Sequence, residues 1–292
     1  MLGLASTLAS SLSDKEVYAS LRGGGQNNKY VNATDVADGL SGIGTHAAHS
    51  QGQNGIPFNT NYTTSSTFRG SWTVSFWYKS DDGRFGDRGK VIFSIGEGSA
   101  GLDYWWFQVT SLGTFQILGS SNGSGQFSIS TSQNLADGAI DWHHIAFVVT
   151  GGGGSDTTVQ VYVNGVAASM VNAVQFSSAN HAAFNADGGL HLAGVISNLL
   201  SDEVTTGTSA LWTDLIDDFC LHSSALDADN ITAMYNSGTP INLLANSGNY
   251  DTSGDVVLYY KFNGEVGPNG TGIDSHGTSN GTGGQFSNES AS

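Results

Sequence analysis

The residues best suited to chemistry in this chain come mostly as neighbours in sequence, and that adjacency restricts what they can do. Asp217 and Asp218 stand side by side in LIDDFCL, and carboxylates are the ligands a hard cation such as calcium prefers. On a regular strand, however, successive side chains point to opposite faces, so the two cannot hold one ion together. The expectation is therefore a structural role, accepting hydrogen bonds from loop amides, with calcium as the weaker alternative. His143 and His144 fail as a shared metal pair for the same reason. His46 and His49, in THAAHS, supply two ligands where a zinc site needs more, and are read as polar loop residues. The segments Ser80 to Asp87 and Asn198 to Glu203 are rich in oxygen but lack the ligand spacing of a calcium loop.

Tyr104, Trp105 and Trp106 form the aromatic cluster of most interest. Alternation sends one Trp into a core and leaves the other outside, where an indole can stack on a sugar ring or a partner protein. These three are the candidate glycan- or partner-contact residues. Cys220, the single cysteine, lies in an apolar run and reads as a small buried hydrophobe. No disulfide can form within the chain, so stability must come from packing. The GGGG run at 151–154 lacks the Lys-Ser/Thr of a phosphate loop and joins two strands, so it is a linker.

The elements that position these residues are strands. In SWTVSFWYKS, Trp72, Val74, Phe76 and Tyr78 share one parity, with Thr73, Ser75 and Lys79 opposite; Trp77 interrupts the polar side. KVIFSIG carries Val91, Phe93 and Ile95 inward, YWWFQVT and TFQILG form a hairpin about Ser111-Leu112-Gly113, and QFSIS adds Phe127 and Ile129. WHHIAFVVT is apolar on both parities, as a strand covered on two sides must be. TVQVYVNGV alternates Val159, Val161 and Val163 into Asn164-Gly165, a pair that tolerates positive φ at both turn positions. LHLAGV and LIDDFCLHSSAL continue the strands. Asp227 then caps a short helix with Ile231, Met234 and Tyr235 on one face, stopped at Gly238 before Pro240, and DVVLYYKFNG closes with Val256, Leu258, Tyr260 and Phe262 on one face.

Gly makes up 41 of 292 residues, about twice the usual roughly 7%, and Pro only 3, which favours many short strands and tight turns. The net charge of −16 repels phosphate backbones and argues against nucleic acid as a partner. The N-terminal MLGLASTLASSLSDKE lacks a basic region and meets Asp14 early, so it does not read as a secretion signal, and no apolar run reaches membrane-spanning length.

Taken in order, WTVSFWYK, DWHHIAFVV, VQVYVNG, LHLAG and LIDDFCLHSSALDADNITAMYNSG resemble the concanavalin A-like lectin/glucanase superfamily in its laminin G-like and pentraxin-like branch, over roughly residues 67–262. The resemblance implies an all-β, two-sheet antiparallel jelly-roll sandwich with one short helix, and a calcium or glycan site at a loop-bearing rim. It also implies that the closing VLYYKF strand completes the sandwich from the C-terminal side. Hydrolytic branches carry Glu-x-Asp-x-x-Glu on one strand face. None of the five Glu here (Glu16, Glu97, Glu203, Glu265, Glu289) has that context, so no enzyme is expected and a glycan hydrolase ranks last.

The expected organisation is an N-terminal arm over 1–29, a jelly-roll domain over 30–265 with a loop-rich lead-in at 30–66, and a flexible Gly/Ser/Asn-rich tail over 266–292. The resemblance extends to virion structural proteins of tailed bacteriophages. It implies a non-catalytic capsid-decoration or tail component made in the host cytoplasm and built into the virion. Its expected partners are other virion proteins, further copies of itself and host surface glycans, without membrane insertion or a required cofactor. The alternative is a carbohydrate-binding lectin domain.

Overall fold

The computed structural model describes residues 48–49, 58–59, 65–68, 70–79, 90–96, 104–110, 113–121, 125–132, 142–151, 158–174, 189–192, 215–261, 266–267, 271–272 and 275–277. Numbered along the chain, one sheet contains β1 (Ala48–His49), β3 (Trp72–Lys79), β8 (His143–Thr150), β9 (Thr158–Val163), β10 (Val166–Ala167), β13 (Leu215–His222) and β14 (Val256–Tyr260). Its order is β1-β13-β3-β8-β9-β10, with β14 also paired to β13. The second sheet contains β2 (Phe58–Asn59), β4 (Lys90–Gly96), β5 (Tyr104–Val109), β6 (Phe115–Ser121), β7 (Gly125–Thr131), β11 (Met170–Val174) and β12 (Gly189–Leu192). It runs β11-β7-β6-β5-β4-β12-β2. The pairings are antiparallel, and the two layers with their interleaved connections make the expected jelly-roll sandwich.

The inner faces meet in an aromatic core. Trp72, Val74, Phe76 and Tyr78 of β3 are buried there as their shared parity requires, against Phe93, Phe107, Phe115, Phe147 and Phe219. Phe93 and Phe107 stack at 3.9 Å, and Trp72 meets Phe107 edge-on at 5.8 Å. Such pairs add to the transfer energy of rings that each remove well over a hundred Å2 from water. In β4 the alternation is interrupted: the register shifts between Val91 and Phe93, and Ile92 is buried as well as Phe93 and Ile95.

The Asn164-Gly165 turn forms as its sequence demands, with φ of 51° and 78°. Asn164 ties the hairpin down: its N–H donates to the His144 carbonyl at 2.8 Å, and its Oδ1 accepts from the His144 N–H at 2.9 Å. The lead-in at 30–66 contributes one short strand to each sheet, β1 against β13 and β2 against β12, and ends at α1 (Ser65–Phe68). The C-terminal strand β14 does complete the first sheet, beside β13. Of its expected single face, Leu258 and Tyr260 enter the core, whereas Val256 packs on the other side of the sheet, because the register shifts between Leu221 and His222; Phe262 lies outside the described residues. The segment read as a tail opens with a two-residue ladder, β15 (Val266–Gly267) with β16 (Thr271–Gly272), and Ser275 donates its N–H to the Tyr259 carbonyl at 2.7 Å. The arm at 1–29 lies outside the described residues.

The polar parity of β3, with Thr73 and Ser75, faces outward from the sandwich core, and this outer face of the first sheet is roofed. Residues 225–250 fold back over it, and Ala146, Val148, Cys220, Leu226, Ile231, Met234, Leu243, Tyr250 and Tyr259 form a second apolar cluster there. This cap starts at a hydroxyl: Thr73 Oγ1 donates to the Ser224 carbonyl at 2.9 Å and accepts from the Leu226 N–H at 3.0 Å. Asp227 caps α2 (Ala228–Tyr235), accepting from the Asn230 N–H at 2.8 Å, and burial of Ile231 and Met234 holds the helix against the sheet. Trp77, which interrupted the polar parity, packs under the cap between His144 at 5.2 Å and Tyr235 at 6.0 Å.

Candidate functional site

The cap encloses an acid pair that the sequence placed on opposite faces. Asp217 lies across from Trp77 on β3, which puts it on the capped face. At Asp218 the backbone turns to φ 48° and the register shifts between Asp217 and Cys220, a β-bulge that swings the second carboxyl to the same face. Phe219 then returns to the core. Adjacent carboxylates on one face are therefore possible here, and the opposite-face expectation is corrected by one extra residue in the strand.

Each carboxyl has a local partner. Asp217 Oδ1 accepts from the backbone N–H of Asp218 at 2.9 Å, and Asp218 Oδ1 accepts from the Tyr259 hydroxyl at 2.5 Å. Burial, reinforced by the charge of Asp218, holds Asp217 well above the usual carboxylate range. Burial pushes Asp218 up to about 6, against the opposing pull of the Tyr259 hydroxyl and the Lys261 ammonium. The Tyr259 hydroxyl is driven upward by its own burial and by Asp218, and stays protonated as a donor. Two carboxylates with these partners fall well short of the roughly six to eight oxygens a calcium ion takes. Among the described residues no group of three His, Cys, Asp or Glu is arranged to hold a metal.

The same roof covers a directional relay. Tyr250 donates its hydroxyl proton to the Leu243 carbonyl at 2.8 Å, so its oxygen accepts from Nε2–H of His222 at 2.9 Å. Nδ1 of His222 is then the acceptor that faces the Cys220 thiol at 3.8 Å. Burial holds His222 down at about 4 and His144 at about 3, so both imidazoles are neutral near pH 7. Cys220 is fully buried, as its apolar setting indicated.

The outward face of the second sheet has a different character. Opposite the inward Phe107, Val109, Phe115, Ile117 and Ile129 run half-buried polar side chains. Gln108 Nε2 donates to Gln116 Oε1 at 2.6 Å, and Gln116 Nε2 donates to Ser128 Oγ at 3.0 Å, linking β5, β6 and β7 in one row. Thr110 and Thr114 continue it at the hairpin end, their hydroxyls 2.7 Å apart. These bonds engage one N–H of each amide, and every amide carries a second. Sequence reading passed over Gln108, Gln116 and Ser128, although their parity opposite buried neighbours was the available signal.

Tyr104, Trp105 and Trp106 form the first half of β5, with backbone partners Gly96, Ile95 and Ser94 on β4 and Ser120, Gly119 and Leu118 on β6. Their side chains lie outside the described residues. So do His46, the Ser80 to Asp87 and Asn198 to Glu203 loops, and 152–154 of the Gly run. His143 and His144 do part as alternation requires: Nδ1 of His143 meets the Asn164 amide at 3.0 Å, while His144 is buried beneath the cap beside Trp77.

With two sheets, this order of strands and a helix packed behind β13, the chain belongs to the concanavalin A-like lectin/glucanases superfamily, whose laminin G-type family model matches residues 50–232. No curated protein matches the sequence. Solved structures are similar to this chain at low identity. A candidate carbohydrate binding protein from Bacteroides ovatus superposes with a TM-score of 0.50 at 17% identity, over 83% of this chain and 58% of that one. The CBM40 of the Ruminococcus gnavus IT-sialidase, bound to α2,3-sialyllactose, gives 0.45 at 11%, over 62% and 92%. A heptameric SAP-like pentraxin from Limulus polyphemus gives 0.39 at 18%, over 68% and 80%.

Proposed function

We propose that this chain is a non-catalytic adhesion module that binds carbohydrate through the outward face of its second sheet, displayed on the particle of a tailed bacteriophage. The observation that carries the reading is the Gln108–Gln116–Ser128 row: uncharged amides and a hydroxyl, held in fixed register on three adjacent strands. Sugar hydroxyls are read by such groups, each of which can both donate and accept, and a strand scaffold pre-organises them. Tyr104 and Trp106 share the parity of Gln108 on the same β5 strand, which supports their reading as contact residues, whereas Trp105 shares the parity of the inward Phe107. The net charge of −16 disfavours acidic sugars and points to neutral glycans.

A binding role is also supported by where the described carboxyl pair lies. Asp217 and Asp218 are buried under the cap, beside a space too small for a sugar ring. The particle assignment rests on the resemblance in sequence, with neighbouring virion proteins or further copies of the chain as its attachment. A glycan array tests the binding reading: the full chain retains neutral glycans and Gln116→Ala loses them, whereas an array empty for both overturns it. Mass spectrometry of purified particles tests the location, and absence of the chain from them overturns that assignment.

A further inference from the structure

Between the first sheet and its cap lies a small cavity, with Ser75, His144 and Asp218 on the sheet side and Met234, Ile241 and Leu243 on the cap side. The space open to the centre of a water-sized sphere is about 10 Å3. Ser75 Oγ and His144 Nδ1 are both fully buried and have no hydrogen-bond partner in the protein. Buried polar atoms left in that state are rare and costly, and two that border one cavity share a cause. We infer that the cavity is an internal hydration site, in which a single water is bound by Ser75 Oγ, His144 Nδ1 and the Asp218 carboxylate and joins the sheet to the cap.

The donor and acceptor account closes. The water accepts from the Ser75 hydroxyl and donates one proton to the Asp218 carboxylate and the other to Nδ1 of His144, giving about the three bonds usual for buried water. The volume sits at the lower limit for one molecule and excludes anything larger. A bound metal ion does not fit, since two oxygens and one imidazole are too few for calcium or magnesium. In this arrangement Nδ1 of His144 accepts from the water, which makes His144 the Nε2–H tautomer.

A high-resolution crystal structure of the full chain, with nitrogen-15 shifts of His144 and urea unfolding of Ser75→Ala, tests the site. The expected results are one water peak within hydrogen-bond distance of all three groups, an Nε2–H tautomer, and an unfolding constant raised roughly five- to tenfold in Ser75→Ala, the loss of one net hydrogen bond. A dry cavity, a Nδ1–H tautomer, or a peak that gains anomalous signal in rubidium-grown crystals overturns the inference. So does a Ser75→Ala chain that unfolds less readily than the parent, since that is what removing a dry, orphaned hydroxyl would do.

Discussion

Replacing Tyr259 by Phe removes one hydroxyl from beneath the cap, and its cost should depend on pH. The hydroxyl donates to Asp218 Oδ1 at 2.5 Å, inside a region where Asp218, Cys220 and Tyr259 are almost completely buried. A hydrogen bond to an ionised buried group contributes about 1.5–3 kcal/mol, against about 1 for a neutral one. Asp218 is raised from 3.8 to about 6 in the folded chain, a penalty on its charged form of about 3 kcal/mol even with the Tyr259 bond in place. The folded state takes up that proton between pH 6 and 4, where the unfolded chain does not. The contribution is thus fully present below about pH 4 and lost as pH rises through 6. At pH 8 Tyr259→Phe leaves a charged Asp218 without its donor and should destabilise by about 2–3 kcal/mol; at pH 4.5, with Asp218 neutral, by about 1. Urea unfolding followed by tryptophan fluorescence at the two pH values measures both. An equal loss at each, or none at pH 8, refutes the assignment of a buried, ionised Asp218 held by Tyr259.

Three further outcomes follow from the packing and the titrating groups. Phe107→Ala, which empties a site stacked on Phe93 and edge-on to Trp72 and Phe147, should cost about 3–5 kcal/mol and abolish near-ultraviolet dichroism at 37 °C; a loss under about 1 kcal/mol would mean that the aromatic core is not packed as described. Asp227→Ala removes the acceptor for the Asn230 N–H and should lower stability by about 1 kcal/mol, with Asp227→Ser recovering most of it, as chemical denaturation would show. His144 and His222, held down at about 3 and 4, stay neutral in the fold while the unfolded chain protonates them below about 6.5, so they remove stability as pH falls, whereas Asp217 and Asp218 add it down to about pH 4. Asp218→Asn removes the carboxyl raised to about 6 and leaves both imidazoles in place, so its stability should fall more steeply than the parent's as pH drops from 6 to 4; a profile parallel to the parent's would contradict it.

How much of this was legible in the sequence depended on whether the backbone stayed regular. Where the backbone stayed a regular strand, as in Trp72 to Tyr78 or Val159 to Val163, parity identified the side chains that face the sandwich core, and Asn164-Gly165 and Asp227 marked a turn and a helix start through their local chemistry. The two-sided apolar run of β8 showed that something covers the first sheet on both faces. What it could not show was which segment does so. The polar parity of Thr73 and Ser75 carries no sign of a cover, because the cap comes from residues about 150 positions away, a contact without a local signature. The acid pair was misplaced for a sharper reason: a bulge adds one residue to the strand, and every parity argument across it inverts. Gln108, Gln116 and Ser128 went unremarked because amides on an outward parity look like ordinary surface until three strands align them.

The binding face is tested most directly by calorimetric titration of a neutral oligosaccharide retained on the array, against the full chain and Gln108→Ala/Gln116→Ala, with the sugar's mass checked after incubation. The account predicts saturable binding by the parent, affinity lower by about tenfold or more in the double variant with its far- and near-ultraviolet dichroism retained, and an intact oligosaccharide. Equal affinity in both proteins would place the contact elsewhere on the sandwich, and a shortened sugar would show that the module is a hydrolase.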